Sequence, residues 1–198
     1  MTPPPDGQHI AQDLVHRVEL ARRDSQRLLR LRVPTVEAAR ARHQDYENAM
    51  VLRRVVAQWG WPTRDLVGEE ALAAAWEIAL RADGLADFQR LALGLLGGAV
   101  ARGEATIQQW ARLHDRCAVN AGDRQRYGTQ FRMGPDGPVP ALVEDPGQLD
   151  DRRAAVGLPP HAQAWAALRR RLGWPPMAEP PPGGGTPDRA PEMVWVAA

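Results

Sequence analysis

Apolar residues recur at steps of three and four positions along most of the chain, which is the spacing of an amphipathic helix. The strongest case follows Trp61-Pro62, where Thr63 or Gly68 can cap a helix that ends near Asp83. This stretch predicts a central core helix around which the chain is organised. Its apolar stripe consists of Val67, Ala71, Leu72, Ala75, Trp76, Ile78 and Ala79.

The same spacing predicts helices on both sides of the central one. They run from about Gln8 to Arg32, Val36 to Gln58, Leu85 to Gly103, Thr106 to Ala121 and His161 to Leu172. On the second helix, Tyr46 and Trp59 are expected on the buried side. The first helix has an arginine-rich opposite face, which favours a solvated surface over a surface for anionic partners.

Between the fifth and last helices the periodicity changes, and residues 124–143 predict a small irregular β-hairpin around a Gly/Pro turn. The fold class expected is therefore all-α, a bundle of five or six helices with this hairpin and disordered termini. The predicted organisation is a disordered segment 1–7, one helical domain 8–172, and a disordered Pro/Gly-rich tail 173–198.

The amino-acid composition argues against several classes of function. The chain has 25 basic residues, all of them arginine, and 24 acidic residues. This near-balance of charge argues against nucleic acid as a partner. Lysine chemistry is excluded because the chain has no lysine. One cysteine, no visible secretory leader and no apolar run of membrane-spanning length predict a cytoplasmic protein without a membrane partner.

No standard catalytic or cofactor-binding motif is present, so no cofactor is predicted. The five histidines lack metal-ligand spacing, so no metal site is predicted either. The most informative polar segment is Arg124–Gln130, R-Q-R-Y-G-T-Q. Two interpretations stay open: a binding loop held by a rigid scaffold, or an edge hairpin whose amides satisfy the backbone.

Several short motifs follow one another in a fixed order between Asp45 and Pro160. They include G-W-P-T-R-D-L-V-G-E-E, A-A-A-W-E-I-A-L-R-A-D, Q-R-Y-G-T-Q-F and E-D-P-G-Q-L-D-D-R-R-A-A-V-G-L-P-P. This set resembles a bacterial family of unknown function whose members commonly read W-P, Q-H-A-D, Y-G-T-Q and V-D-x-R-R-x-x-V-G-L. The resemblance implies one shared pocket of Asp83, Gln125, Tyr127, Gln130, Glu144, Asp145, Arg152 and Arg153, with Asp45 and Asn48 as an upstream polar pair.

The chain departs from that pattern at the end of the central helix, where Leu80 and Arg81 stand in place of Gln-His. Histidine suits acid–base chemistry near neutral pH, whereas arginine stays protonated. A family activity that used this histidine would be lost or changed here. Arg81 would instead hold a carboxylate, phosphate or sulfate group, unless it is simply a favourable cation at a helix C-terminus.

Two classes of function follow. The first is a small-molecule enzyme or enzyme subunit of specialised (natural-product) metabolism, with a polar pocket at the end of the central helix. Asp83 or Asp145 would transfer a proton, Tyr127 would orient the substrate together with the glutamines, and Arg81 or Arg152 would hold an anionic group. The second is a non-catalytic accessory or interaction protein that pairs with a homologous, histidine-containing subunit.

Overall fold

A computed structural model of the chain describes residues 5–31, 35–175, 177 and 195–197. The chain divides into two compact units, residues 1–106 and 107–198. The boundary falls inside the range 8–172, which the sequence predicted as one domain. The predicted all-α class with a small hairpin is confirmed: the described residues form seven α-helices, one more than the upper expectation.

The first unit is helical. Its elements are α1 (Pro5–Leu31), α2 (Thr35–Trp59), α3 (Arg64–Leu80) and α4 (Ala86–Ala101). The hydroxyl of Thr63 caps α3 by accepting a 3.3 Å hydrogen bond from the backbone N–H of Leu66. Gly68 kinks the helix with φ 78° and ψ 171°, a conformation that is essentially restricted to glycine.

The core of this unit lies between α1 and α3. Val67, Ala71 and Leu72 of α3 are buried, and apolar residues of α1 pack against them. The expectation that Tyr46 and Trp59 are buried is wrong, since they are 37% and 44% exposed. Trp59 is the last residue of α2 and lies past the packed stripe that Ala49, Leu52 and Val56 form.

The second unit combines helices with a small sheet. Its elements are α5 (Ile107–Ala121), β1 (Gln130–Gly134), β2 (Gly137–Pro140), a 3-10 helix (Pro146–Gln148), α6 (Leu149–Ala155), α7 (His161–Arg171) and β3 (Trp195–Ala197). The sheet is antiparallel with the order β2-β1-β3. The third strand was not predicted, because it lies in the segment expected to be disordered. The rest of that tail beyond residue 177 lies outside the described residues, as do residues 1–4.

The predicted hairpin is present and is anchored to α7. Phe131, Trp165 and Leu168 form a buried apolar cluster. The indole N–H of Trp165 donates a 2.8 Å hydrogen bond to the carbonyl oxygen of Pro138 in β2. The hairpin is therefore fixed to the helical part of the unit by both packing and a buried hydrogen bond.

Candidate functional site

The segment Arg124–Gln130 is held in place by one buried carboxylate. Asp115 of α5 is fully buried. Its Oδ1 accepts the backbone N–H groups of Arg126 (2.8 Å) and Tyr127 (3.0 Å), and its Oδ2 accepts the backbone N–H (3.0 Å) and hydroxyl (2.9 Å) of Thr129. Four donors thus occupy both oxygens of this carboxyl group. Asp115 therefore fixes the conformation of the loop.

The glutamines of the segment are also committed to the backbone. The side-chain NH2 of Gln125 donates to the carbonyl oxygens of Gln130 (3.1 Å) and Ala141 (2.9 Å), and its Oε1 accepts the N–H of Gln130 at 2.8 Å. The Gln130 side chain donates to the carbonyl of Arg112 at 3.2 Å. Both glutamines are buried. These contacts support the hairpin interpretation, in which amides satisfy the backbone.

Arg152 and Arg153 of α6 direct their guanidinium groups at carbonyl oxygens. Arg152 donates to the carbonyls of Arg126, Glu144 and Asp145. Arg153, which is 1% exposed, donates to those of Pro159 (2.7 Å), Tyr127 (2.5 Å) and Gly128 (3.2 Å). Burial lowers the pKa of Arg153. Both arginines thus tie the loop to α6.

Gly128 is required by both its conformation and its surroundings. Its φ is 61°, which is the left-handed region that favours glycine. A Cβ placed there would lie 2.9 Å from Cδ2 of His161 and 3.3 Å from a methyl of Leu149. The loop consequently packs directly on the first residue of α7.

His161 is kept neutral by its packing. Its ring stacks on Phe131 with centroids 5.7 Å apart and an interplanar angle of 9°, and its buried Nε2 has no hydrogen-bond partner among the described residues. Its backbone N–H donates to Asp150 at 2.8 Å. Burial, followed by the neighbouring Arg153 charge, lowers the pKa of His161 to about 4.

One face of the loop carries aromatic and cationic groups, of which Arg126 is exposed, Trp110 and His114 are half-buried and Tyr127 is buried. We name it the His114 face; it is formed by Trp110, His114, Arg126 and Tyr127. The His114 ring lies 5.1 Å from Trp110 and 5.8 Å from Tyr127, centroid to centroid. The Arg126 guanidinium lies 6.0 Å from the centroid of the Tyr127 ring. Of these residues, sequence reasoning identified only Tyr127 as a site residue.

His114 couples this face to the buried carboxylate. Its side chain is 30% exposed, while its Nδ1 is buried, lacks a hydrogen-bond partner among the described residues, and lies 3.6 Å from Oδ1 of Asp115. A signal for the pair exists in the sequence, because a histidine precedes an aspartate on α5. The role of Asp115 depends on hydrogen-bond donors of the loop, which reach the carboxylate only when the loop folds back onto α5.

The remaining acidic candidates of this unit lie at the start of the 3-10 helix. The Glu144 carboxylate is 3.6 Å from the Arg126 guanidinium, and both side chains are partly exposed. Asp145 is exposed and has φ 33°, the one non-glycine residue in the described segments with positive φ. Such backbone strain is concentrated at functional sites but is not itself evidence of one.

The first unit holds the other predicted site residues. Arg81 donates to the Ser25 hydroxyl (2.7 Å) and to Glu77 (3.2 Å). Asn48 is buried, and its Oδ1 accepts from Arg17 (3.3 Å) and Gln44 (3.0 Å). Asp83 is exposed, and its carboxylate accepts a 3.4 Å hydrogen bond from Gln89. Asp45 is half-buried on α2.

The structure therefore brings the predicted residues together in two groups. Gln125, Tyr127, Gln130, Glu144, Asp145, Arg152 and Arg153 surround one loop of the second unit. Asn48 and Arg81 both contact α1 in the first unit. The single pocket that would join Asp83 to the loop stays a prediction.

Every helix among the described residues is too short or too polar to cross a bilayer. Within the same ranges, no group of three or more His, Cys, Asp or Glu side chains is arranged to hold a metal ion.

Comparison with known proteins gives one match. The model of DUF6624, a family of unknown function, covers residues 33–173, which include all of α2 to α7. No curated protein and no solved structure matches the chain.

Proposed function

This chain belongs to the DUF6624 family, and from that premise we propose that it is a small-molecule-binding enzyme or enzyme subunit whose ligand binds at the His114 face. The observation that carries the proposal is the environment of His114. The Nδ1 of this partly exposed imidazole lies 3.6 Å from a fully buried carboxylate, and histidine is the side chain that most often transfers protons in enzymes.

The surroundings of His114 indicate the chemistry of the ligand. The rings of Trp110 and Tyr127 pack against the imidazole, and Trp110 is half-buried. Arg126 adds a partly exposed guanidinium that one carboxylate, Glu144, approaches only at 3.6 Å. An anionic molecule with a planar portion suits such a surface, because arginine binds carboxylate and phosphate groups in a bidentate manner. Assignment to natural-product metabolism remains part of the proposal.

In this scheme two sets of residues have different tasks. The backbone of the loop is fixed by the polar groups of Asp115, Gln125, Gln130 and Arg153. The rigid loop then places Tyr127 and Arg126 beside His114. Such a division is favourable for a binding site, because a fixed site loses little entropy when the ligand binds.

Thermal denaturation with a panel of dicarboxylates, phosphate esters and sulfate tests the proposal. A ligand that binds the folded state raises its stability, by about 2.7 kcal/mol at about 100 times its Kd. We expect at least one compound to stabilise the wild type and to lose this effect in His114→Gln. His43→Gln, a change of an exposed histidine on α2, is the matched control and keeps the response. A response that survives in His114→Gln places the ligand elsewhere.

A second function is favoured by one specific observation, the environment of Arg81. Arg81 lies at the C-terminal end of α3, where its guanidinium contacts Ser25 and Glu77. Arginine does not exchange protons near neutral pH. This arrangement favours a non-catalytic accessory protein that pairs with a histidine-containing relative. Co-expression with such a relative, followed by light scattering of the purified sample, tests it. A stable complex supports the accessory function, and two separate monomers contradict it.

A further inference from the structure

The first helix precedes the part of the chain that the family model matches. The family match begins at residue 33, whereas α1 spans Pro5–Leu31. The helix is nevertheless well anchored at its N-terminal part. Leu14, Val18 and Ala21 are 0%, 2% and 5% exposed, and the neighbouring apolar residues Ile10, Ala11 and Val15 pack against α3.

Beyond Ala21, α1 is attached to the rest of the unit by a different kind of contact. None of the described side chains from Arg22 to Leu28 is buried. The helix is held there by polar contacts: Arg22 to Glu77 at 2.7 Å, the Ser25 hydroxyl to Arg81 at 2.7 Å, and Arg27 to Glu37 at 3.4 Å. We name residues 22–28 the α1 latch.

The two parts of α1 differ in strength. An exposed ion pair changes an equilibrium by only about 1.5- to 5-fold and is weakened by salt. Burying one aliphatic side chain changes it by more than about tenfold. The latch should therefore separate from α2 and α3 more often than residues 10–21 do.

We propose that the α1 latch is a salt-sensitive cap that opens independently of the rest of α1 and controls access to Glu77 and Arg81. In the closed state the Ser25 hydroxyl occupies the position at Arg81 that another hydrogen-bond acceptor would take. The Glu77 side chain is 14% exposed, and Arg22 and Arg81 both approach it. Opening the latch exposes both charged groups.

Amide hydrogen exchange on the full chain tests this proposal, because it measures the opening of each segment separately. In Arg22→Glu we expect exchange of residues 22–28 to rise about 2- to 5-fold, while exchange of residues 10–21 changes less than about 2-fold. Sodium chloride at about 0.5 M should raise exchange of the latch similarly in the wild type, and little further in the variant.

Three further variants make the result specific to the α1 latch. Arg23→Glu makes the same charge change on the next residue, but Arg23 pairs within α1 with Glu19 at 3.8 Å, so exchange stays within about twofold of the wild type. The conservative variant Arg22→Lys keeps a cation opposite Glu77 and leaves latch exchange within about twofold of the wild type. Ser25→Ala raises latch exchange although alanine is the better helix former.

Three results overturn the proposal. One is uniform exchange along the whole of α1, which means that no separate latch exists. The second is an equal effect of Arg22→Glu and Arg23→Glu, which means that the contact with Glu77 does not hold the segment. The third is an Arg22→Lys variant whose latch exchanges as fast as that of Arg22→Glu.

Discussion

The imidazole of His161 lies directly against the backbone of Gly128, so close that a methyl group at residue 128 would be 2.9 Å from its Cδ2. This contact joins the start of α7 to the centre of the Y-G-T-Q loop. It explains why a glycine stands between Tyr127 and Thr129.

Gly128→Ala should destabilise the protein by about 2–4 kcal/mol, because it adds a steric contact to the cost of the left-handed backbone. Gly122→Ala is the matched control. Gly122 has φ 84°, and a Cβ at this position would meet no other atom within 4 Å, so its variant carries the backbone cost alone, about 1–2 kcal/mol. Urea denaturation of both measures the difference. Equal losses of stability would show that the His161 contact is not restrictive.

The buried carboxylate of Asp115 predicts a large effect from a small change. Asp115→Asn replaces one acceptor oxygen with an NH2 group that faces backbone N–H donors. At least one buried donor then lacks a partner, and we expect a loss of about 3 kcal/mol. Asp123→Asn, at an exposed position near the end of α5, should change stability by less than about 0.5 kcal/mol. Similar values for the two variants would contradict the role given to Asp115.

The low pKa of His161 predicts a specific pH dependence. Its pKa is about 4 in the folded state against 6.5 for an ordinary histidine, so between these values the unfolded chain binds the proton more strongly. The free energy of unfolding therefore falls as pH decreases from about 6.5 to 4, and His161 contributes on the order of 2 kcal/mol to that fall.

His161→Gln removes this titration and should flatten the stability profile between pH 4 and 6.5, relative to the wild type. His43→Gln keeps the wild-type slope, because it leaves the His161 environment intact. Denaturation at a series of pH values measures both. An unchanged slope in His161→Gln would show that other groups cause the acid sensitivity.

Local signals in the sequence were sufficient for most of the fold. Short-range rules predict the Thr63 cap, the helix ends before Gly84 and Gly122, and the hairpin around Pro135-Asp136. The structure has each of these features where it was expected. The strand Trp195–Ala197 could not be predicted in the same way. Its partner β1 lies more than sixty residues earlier in the chain.

The loop network was harder to predict than the fold. Asp115 looks like an ordinary acidic residue on a helix surface, between His114 and Arg116. Its role depends on N–H groups eleven to fourteen residues later, which no helical periodicity connects to it. Gln125 and Gln130 lie in the segment that the sequence singles out, but whether they face a ligand or the backbone depends on the folded path of the loop.

The most direct test of the central claim is nuclear magnetic resonance of the five histidine rings during titration with the anionic panel. His114→Gln identifies the His114 signal. The proposed function predicts that at least one dicarboxylate or phosphate ester shifts this signal in a saturable manner, while the His43 signal stays in place. A His114 signal that does not move with any compound, or moves only as much as His43, would contradict the claim that the His114 face is a binding site.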